Sequence, residues 1–322
     1  MEAIRLHAYG PAANLRLETL PDPVPGPGEV RIAVRAAGLH FIETLLRQGR
    51  PVGPHPAPPL PAILGGEVAG VVESVGEGVP ADLVGRRVVT ADVTSGGYAS
   101  LAVAGAATLT ELPDHVDPGA AVAMNTTGAT TFGLLELAPL SASDMVLATA
   151  AAGGIGTLLV QYARRAGVRV IGAAGGPVKV RRVEELGADL AVDYRQPGWD
   201  KLVREAFGEV TVVFDGVGGE IGRAAYGLLG RGGRHVVFGS AAGEWFFPDP
   251  EEAAARGVTV YDGIAHLLGR DGGMDELRAR ALDAVADGSL TPAVQSFPLA
   301  RAADAHEALE SRNTMGKVIL VP

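Results

Sequence analysis

Between Val146 and Gly156 the chain reads Val-Leu-Ala-Thr-Ala-Ala-Ala-Gly-Gly-Ile-Gly, an apolar run that breaks into glycines and passes into a helical pattern. Set against the spacing G-x-G-x-x-G, the three positions are Ala151, Gly153 and Gly156. At Gly153 the missing side chain lets backbone approach a pyrophosphate, and at Gly156 it lets a helix pack closely on a sheet. The first-turn N–H groups and the helix dipole then face an anion. The chemistry such a turn serves is dinucleotide binding. Glycine-rich turns occur in any α/β sheet, so the weight comes from context: a strand before it, a helix after it, and a second strand at Val168–Ala174. About 20 residues beyond the glycines an NAD site usually carries Asp or Glu for the ribose 2′-OH. Here that place reads Ile171-Gly172-Ala173-Ala174-Gly175-Gly176, with no carboxylate. Lys179, Arg181 and Arg182 follow, and a cation there suits a 2′-phosphate. Arg181 and Arg182 also fit a solvated helix face balanced by Glu184 and Glu185, but that leaves the missing acid unexplained. NADPH is the expected dinucleotide.

A turn of this kind needs a parallel sheet to carry it. From Gly119 the chain alternates strand, turn and helix. Strands are predicted at Met145–Thr149, Val168–Ala174, Leu190–Tyr194, Val210–Asp215, Arg234–Gly239 and Val258–Asp262. Helices are predicted at Gly156–Ala166, Pro177–Leu186, Trp199–Phe207 and Ile221–Leu229. Unbroken Val/Ile/Phe strands separated by helices imply a buried parallel sheet covered on both faces. Before residue 118 the rhythm differs. Short apolar stretches such as Glu29–Val34, Glu67–Glu73 and Arg86–Val89 alternate with Pro and Gly, which reads as antiparallel strands. Pro51–Pro61 is too proline-rich for a helix or a central strand and is expected to be a loop. After Asp262 come helical patterns around Asp275–Asp287 and Ala300–Leu309, and a terminal strand at Lys317–Val321.

Composition narrows the chemistry further. The 322 residues include no cysteine, which removes disulfides, thiolate catalysis and Cys-ligated metal. With 27 Lys+Arg against 37 Asp+Glu, the net charge is −10, the wrong sign for a protein that tracks phosphates along nucleic acid. The 45 glycines are about twice the ordinary share of ~7% and sit largely in turns between apolar runs. No signal-peptide core and no run of roughly 18 apolar residues is present, so a cytoplasmic protein with no membrane partner is expected.

Thr149–Arg164, running Thr-Ala-Ala-Ala-Gly-Gly-Ile-Gly-Thr-Leu-Leu-Val-Gln-Tyr-Ala-Arg, resembles the zinc-independent medium-chain dehydrogenases/reductases of the quinone oxidoreductase type. Ala37–Thr44 is similar to that family's early G-x-N-[FP]-x-D stretch, and Gly65–Gly76 to its G-x-E-x-x-G-x-V motif. Gly96-Gly97-Tyr98-Ala99, Gly128-Ala129-Thr130, Asp215-Gly216-Val217-Gly218, Phe238-Gly239-Ser240 and Gly316-Lys317-Val318 also match. The resemblance spans essentially the whole chain. It implies an α/β fold in two parts: a mostly β, chaperonin-10-like (GroES-like) catalytic domain over 1–118 and 263–322, and a doubly wound Rossmann domain over 119–262. It also implies a homodimer.

The resemblance assigns roles where motifs match. Thr130 is placed beside the nicotinamide, Gly153, Gly154, Ile155 and Gly156 at the pyrophosphate, and Phe238, Gly239 and Ser240 along the nicotinamide edge. Lys179, Tyr194 and Arg312 correspond to the family's 2′-phosphate or adenosine contacts. Zinc-dependent relatives have Cys at the position of His40 and His at the position of Gly66, so no metal is expected. Two departures stand out. His40 replaces the family's active-site Asn, and the Tyr often found after the segment matching Arg47-Gln48-Gly49 is absent, Arg50 and Pro51 standing there. His40 is thus a candidate hydrogen-bond donor or proton source for an acceptor carbonyl, or a spacer that shapes the pocket. The substrate is expected between the two domains, bounded by His40, Pro51–Pro61, Thr130 and Phe238–Ser240. The implied activity is hydride transfer from NADPH to a small conjugated carbonyl compound, most simply a quinone. The alternatives are an enoyl or enone reductase and an NADPH-binding protein with little catalysis.

Overall fold

The computed structural model describes all residues 1–322. The strands are, in chain order, β1 (Glu2–Leu6), β2 (Leu15–Thr19), β3 (Glu29–Leu39), β4 (Ala62–Ile63), β5 (Val68–Val75), β6 (Arg87–Thr90), β7 (Leu101–Gly105) and β8 (Thr110–Glu111). They continue with β9 (Met145–Ala148), β10 (Arg169–Ala174), β11 (Leu190–Asp193), β12 (Val210–Asp215), β13 (Leu229–Val237) and β14 (Thr259–Asp262), then β15 (Val294–Pro298) and β16 (Lys317–Val321). The chain divides into two compact units: Met1–Thr126 with Leu282–Pro322, and Thr127–Ala281. No helix is long and apolar enough to cross a membrane.

The first unit is mostly β. Its main sheet has the order β15-β16-β3-β5-β6-β8, with β7 also paired to β3, and a small sheet has the order β2-β1-β4. β3 is the hub. Val30, Ile32 and Val34 turn inward by the period of two that a half-buried strand requires, and join Val68, Val72, Val318 and Leu320 in one core. Register brings three strand ends together. Leu39 pairs with Val318 and Ala37 with Val68, and the Gly38 N–H donates to the Glu67 carbonyl at 2.8 Å. His40, Glu67 and Lys317 therefore lie at the same level of adjacent strands.

The second unit is a six-stranded parallel sheet of order β11-β10-β9-β12-β13-β14. Strand order reverses between β9 and β12, the position at which doubly wound sheets open for a ligand at their carboxyl ends. The predicted strands are all present. The helix after β9 starts at Gly154 rather than Gly156 because the chain turns at Ala150–Gly153. β13 begins at Leu229, ahead of the predicted Arg234: Gly230, Gly232 and Gly233 read as a turn, yet the backbone pairs beside β12 with an interrupted register between Val210 and Val212. Several elements escaped the sequence pattern, among them the short helices Phe41–Arg47 and Gly263–Leu268, the latter capped by Asp262, and the half-exposed strand β15.

One carboxylate ties the base of this sheet. Asp144, just before β9, accepts from the Ser141 N–H at 2.8 Å and Oγ at 2.9 Å, the Thr211 Oγ1 of β12 at 2.7 Å and the Arg234 guanidinium of β13 at 2.6 Å. Burial alone pushes its pKa up, but these donors outweigh burial and hold it at about 2. A group depressed below its unfolded value of about 3.9 stabilises the fold above that pH and loses the contribution as pH falls through its folded value. Asp144→Asn should therefore cost about 2 kcal/mol at pH 7, measured by urea unfolding. The gap to the wild type should close between about pH 4 and pH 2. A gap unchanged at pH 2.5 would mean that the side chain acts through packing alone.

Candidate active site

In the second unit the site is built from backbone. β9 ends at Ala148, and Ala150 takes a left-handed φ of 50° to reverse the chain. The helix Gly154–Arg165 then begins from Gly153, an N-cap with no side chain to occupy its first-turn N–H groups. A Cβ at Gly156 would lie 2.3 Å from the Ala150 carbonyl oxygen, so only glycine lets this helix sit so close to the turn. Gly153, Gly154, Ile155 and Gly156 thus form the cradle that their spacing predicts, and it can hold a pyrophosphate. The neighbouring strand end is fixed by Asp215, whose Oδ1 accepts from Thr149 Oγ1 at 2.8 Å and from the N–H groups of Val217 and Gly218 at 2.9 and 3.1 Å. Phe238 follows β13, donating its N–H to the Asp215 carbonyl, and its ring packs over Gly216. Gly239 and Ser240 continue from it at half-buried positions.

The end of β10 carries the second predicted cluster. Tyr194 lies against Gly175, and Lys179 is in the first turn of the helix Pro177–Glu185. Asp193, at the end of β11 and just before Tyr194, accepts through Oδ1 from the Gly176 and Arg195 N–H groups at 2.9 and 3.0 Å, with the Arg195 guanidinium at 3.4 Å. Those donors and the Arg195 charge outweigh the cost of partial burial and lower its pKa. The Asp193 carboxylate is thus engaged through Oδ1 with Gly176 and Arg195. Thr130 is half-buried in the helix Ala129–Leu137 of this unit.

Arg312 belongs to the first unit. It takes a left-handed φ of 61° after the helix Ala302–Glu310, and its guanidinium stacks 4.3 Å above the Phe41 ring, beside His40. His40 caps the helix Phe41–Arg47, donating its backbone N–H to Glu43 at 2.7 Å. Glu43 in turn accepts from the buried Tyr98 hydroxyl at 2.8 Å. The imidazole remains one-quarter exposed and meets two buried charges. His40 Nε2 lies 2.9 Å from Glu67 Oε2 and 2.7 Å from Lys317 Nζ, and Lys317 Nζ lies 3.1 Å from the same carboxylate oxygen. The other oxygen of Glu67 accepts from Asn125 and Thr126, on a π-helical turn over Ala123–Gly128. Burial raises the pKa of Glu67, but Lys317, His40 and the Thr126 hydroxyl more than offset it and hold the carboxyl well below its usual range. Glu67 is ionised.

Sequence reasoning placed Glu67 and Lys317 only inside motif matches and did not single out Asn125 or Thr126. The available signal was a lone acid ahead of Val-Ala-Gly-Val-Val and a lone base heading Val-Ile-Leu-Val. A charge at the mouth of a buried strand needs a partner.

Two family profiles match the chain: an alcohol dehydrogenase GroES-like domain over residues 26–114 and a zinc-binding dehydrogenase over residues 186–320. The quinone oxidoreductase of Pseudomonas aeruginosa is 34% identical, with 99% of each chain covered. The 2-haloacrylate reductase of a Burkholderia species is 32% identical, with 98% of each covered. Among solved structures, Escherichia coli quinone oxidoreductase complexed with NADPH aligns over 100% of both chains with a TM-score of 0.87 and 29% identity. Zinc does not fit the donors present. Position 66 is glycine, the chain has no cysteine, and no three His, Asp or Glu side chains converge. The space enclosed by His40 and Glu67 is filled by an ammonium. With a GroES-like part, a doubly wound sheet and end-to-end similarity to quinone oxidoreductases, the chain belongs to the zinc-independent medium-chain dehydrogenases/reductases of the quinone oxidoreductase type.

Proposed function

We propose that the protein is an NADPH-dependent reductase that delivers hydride to a conjugated carbonyl acceptor, with quinones as the leading class. The observation that carries this reading is the uncapped glycine cradle at Gly153–Gly156, beside β10, whose end carries no acid and is followed by Lys179 in the first turn of the next helix. The bound dinucleotide supplies the hydride. Gly153, Gly154 and Ile155 cover its pyrophosphate, with the Gly153 N–H held by the Ala150 carbonyl and the N–H groups of Gly154 and Ile155 left to face the ligand. Lys179, Tyr194 and Arg312 make the 2′-phosphate or adenosine contacts. Thr130 and Phe238–Ser240 border the nicotinamide. His40 donates a hydrogen bond to the acceptor oxygen and gives up the proton that accompanies hydride when a quinone becomes a hydroquinone. On the family resemblance, the working form is a cytoplasmic homodimer.

A second reading has specific support: reduction of a C=C bond conjugated to a carbonyl. One relative is named a 2-haloacrylate reductase, and the imidazole that replaces the family's Asn is an acid able to protonate carbon. Steady-state NADPH oxidation with a quinone and with an enone separates the two readings, and turnover of neither would overturn both. His40→Ala should lower kcat/KM by about 10²-fold or more with NADPH affinity nearly unchanged. His40→Asn should keep much of the quinone rate and lose more on the enone. Equal rates for wild type and both variants would make His40 a spacer.

The cofactor preference is tested separately. Charge-assisted contacts to phosphate are worth about 1.5–3 kcal/mol, so Lys179→Ala should weaken NADPH binding about tenfold or more and leave NADH nearly unchanged. Calorimetric titration of both nucleotides decides. Equal losses would assign Lys179 to the fold or to the pyrophosphate.

A further inference from the structure

Lys317 is only 4% exposed, and Glu67 only 2%. A buried ammonium is costly unless it is paired and hydrogen-bonded. The strand that carries Lys317 could begin with another Val or Ile and still complete the sheet. The fold instead makes room for the charge. A Cβ at Gly38 would lie 2.5 Å from Glu67 Oε2 and 3.2 Å from Lys317 Nζ, so the ion pair occupies space that a side chain there would take. The ammonium is also turned toward the imidazole, with Nζ 2.7 Å from Nε2 and 3.1 Å from Nδ1 of His40. In either neutral tautomer one ring nitrogen carries a lone pair within reach of this donor. Because Lys317 neutralises Glu67, the buried carboxylate does not need a charged ring as its partner.

We propose that Lys317 is a positioning residue for His40, one that orients the ring and replenishes the proton it releases. The inference rests on the reductase reading. As hydride from the reduced nicotinamide reaches the acceptor, the His40 Nδ1–H bond breaks and an O–H bond forms on the reduced product, or a C–H bond on an enone. In the same step Nε2, 2.7 Å from Lys317 Nζ, takes a proton from the ammonium as an Nζ–H bond breaks, so the ring stays neutral. Nε2 then returns that proton to the amine and Nδ1 takes one from water, which restores both the ammonium and the starting tautomer. The sum is one hydride from the dinucleotide and one proton from solvent per acceptor. Lys317 touches neither acceptor nor dinucleotide and acts through His40.

The test compares wild type with Lys317→Met, Lys317→Gln and Lys317→Arg, using a quinone, an enone and NADPH, together with ¹⁵N NMR of the His40 ring. Lys317→Met should lower kcat about 10²-fold, with KM and NADPH affinity within about threefold, and raise the solvent deuterium isotope effect on kcat. Lys317→Arg, which keeps a cationic donor, should recover part of the rate, and the ring-nitrogen shifts should move in the Met variant but little in the Arg variant. If Lys317→Met does not fold, Lys317→Gln carries the same comparison. Wild-type turnover with unchanged kcat, isotope effect and ring shifts in the neutral variants would overturn the proposal. If the wild type oxidises NADPH with neither acceptor, the reductase reading fails instead, and the ring shifts alone decide whether Lys317 controls the imidazole.

Discussion

The buried pairing of Lys317 with Glu67 is the constraint around which the first unit is arranged. Neither charge can be left alone in a low-dielectric interior, because removing one partner of such a pair typically costs about 3–5 kcal/mol. Both charges must therefore arrive together, which restricts how β3, β5 and β16 slide against one another. A slip of one residue in either ladder would carry Glu67 or Lys317 to the opposite face of its strand. Surrounding choices follow from this. Position 38 has no side chain, Asn125 and Thr126 occupy the second carboxylate oxygen, and Glu43 with Tyr98 fixes the backbone from which His40 projects. The Tyr98 hydroxyl, pushed well above its ordinary pKa by burial and by the neighbouring Glu43, stays a donor throughout.

The second unit solves the opposite problem. Its site consists of N–H groups that the fold leaves for a ligand to satisfy, at a helix start held near the sheet by a glycine contact. No charge is buried there for binding. Rigidity comes instead from Asp215, which gathers the ends of β9 and β12, and from the Asp144 cluster at the other end of the same strands. The second unit is thus organised around uncapped backbone N–H groups and the first around a buried ion pair, two different ways of holding a site rigid.

The architecture was largely legible from residues 119–262, because buried parallel strands and their helices impose strong periodicity, and the turn at Ala151, Gly153 and Gly156 sits where spacing alone puts it. The antiparallel part was legible as a class but not as a topology. Short strands such as β4 and β8 have two residues each and no pattern to read. The glycines of β13 concealed its first half, since backbone pairing there owes nothing to side chains. His40 was visible as a departure from a motif. Its partner was not, because the two are 277 residues apart and only the ladder between β3 and β16 brings them level.

That separation shapes how the molecule comes together. The first unit is discontinuous: residues 1–126 wait for 282–322, while 127–281 can collapse as one stretch in the interval. Until β16 docks, Glu67 has no ammonium beside it, and closing β3 and β5 over a lone carboxylate carries the penalty of an uncompensated interior charge. The edge nearest His40 is closed by β16, which follows the whole of the second unit in sequence. Any intermediate with 127–281 in place and β16 undocked holds its glycine turn complete and its buried carboxylate unpaired.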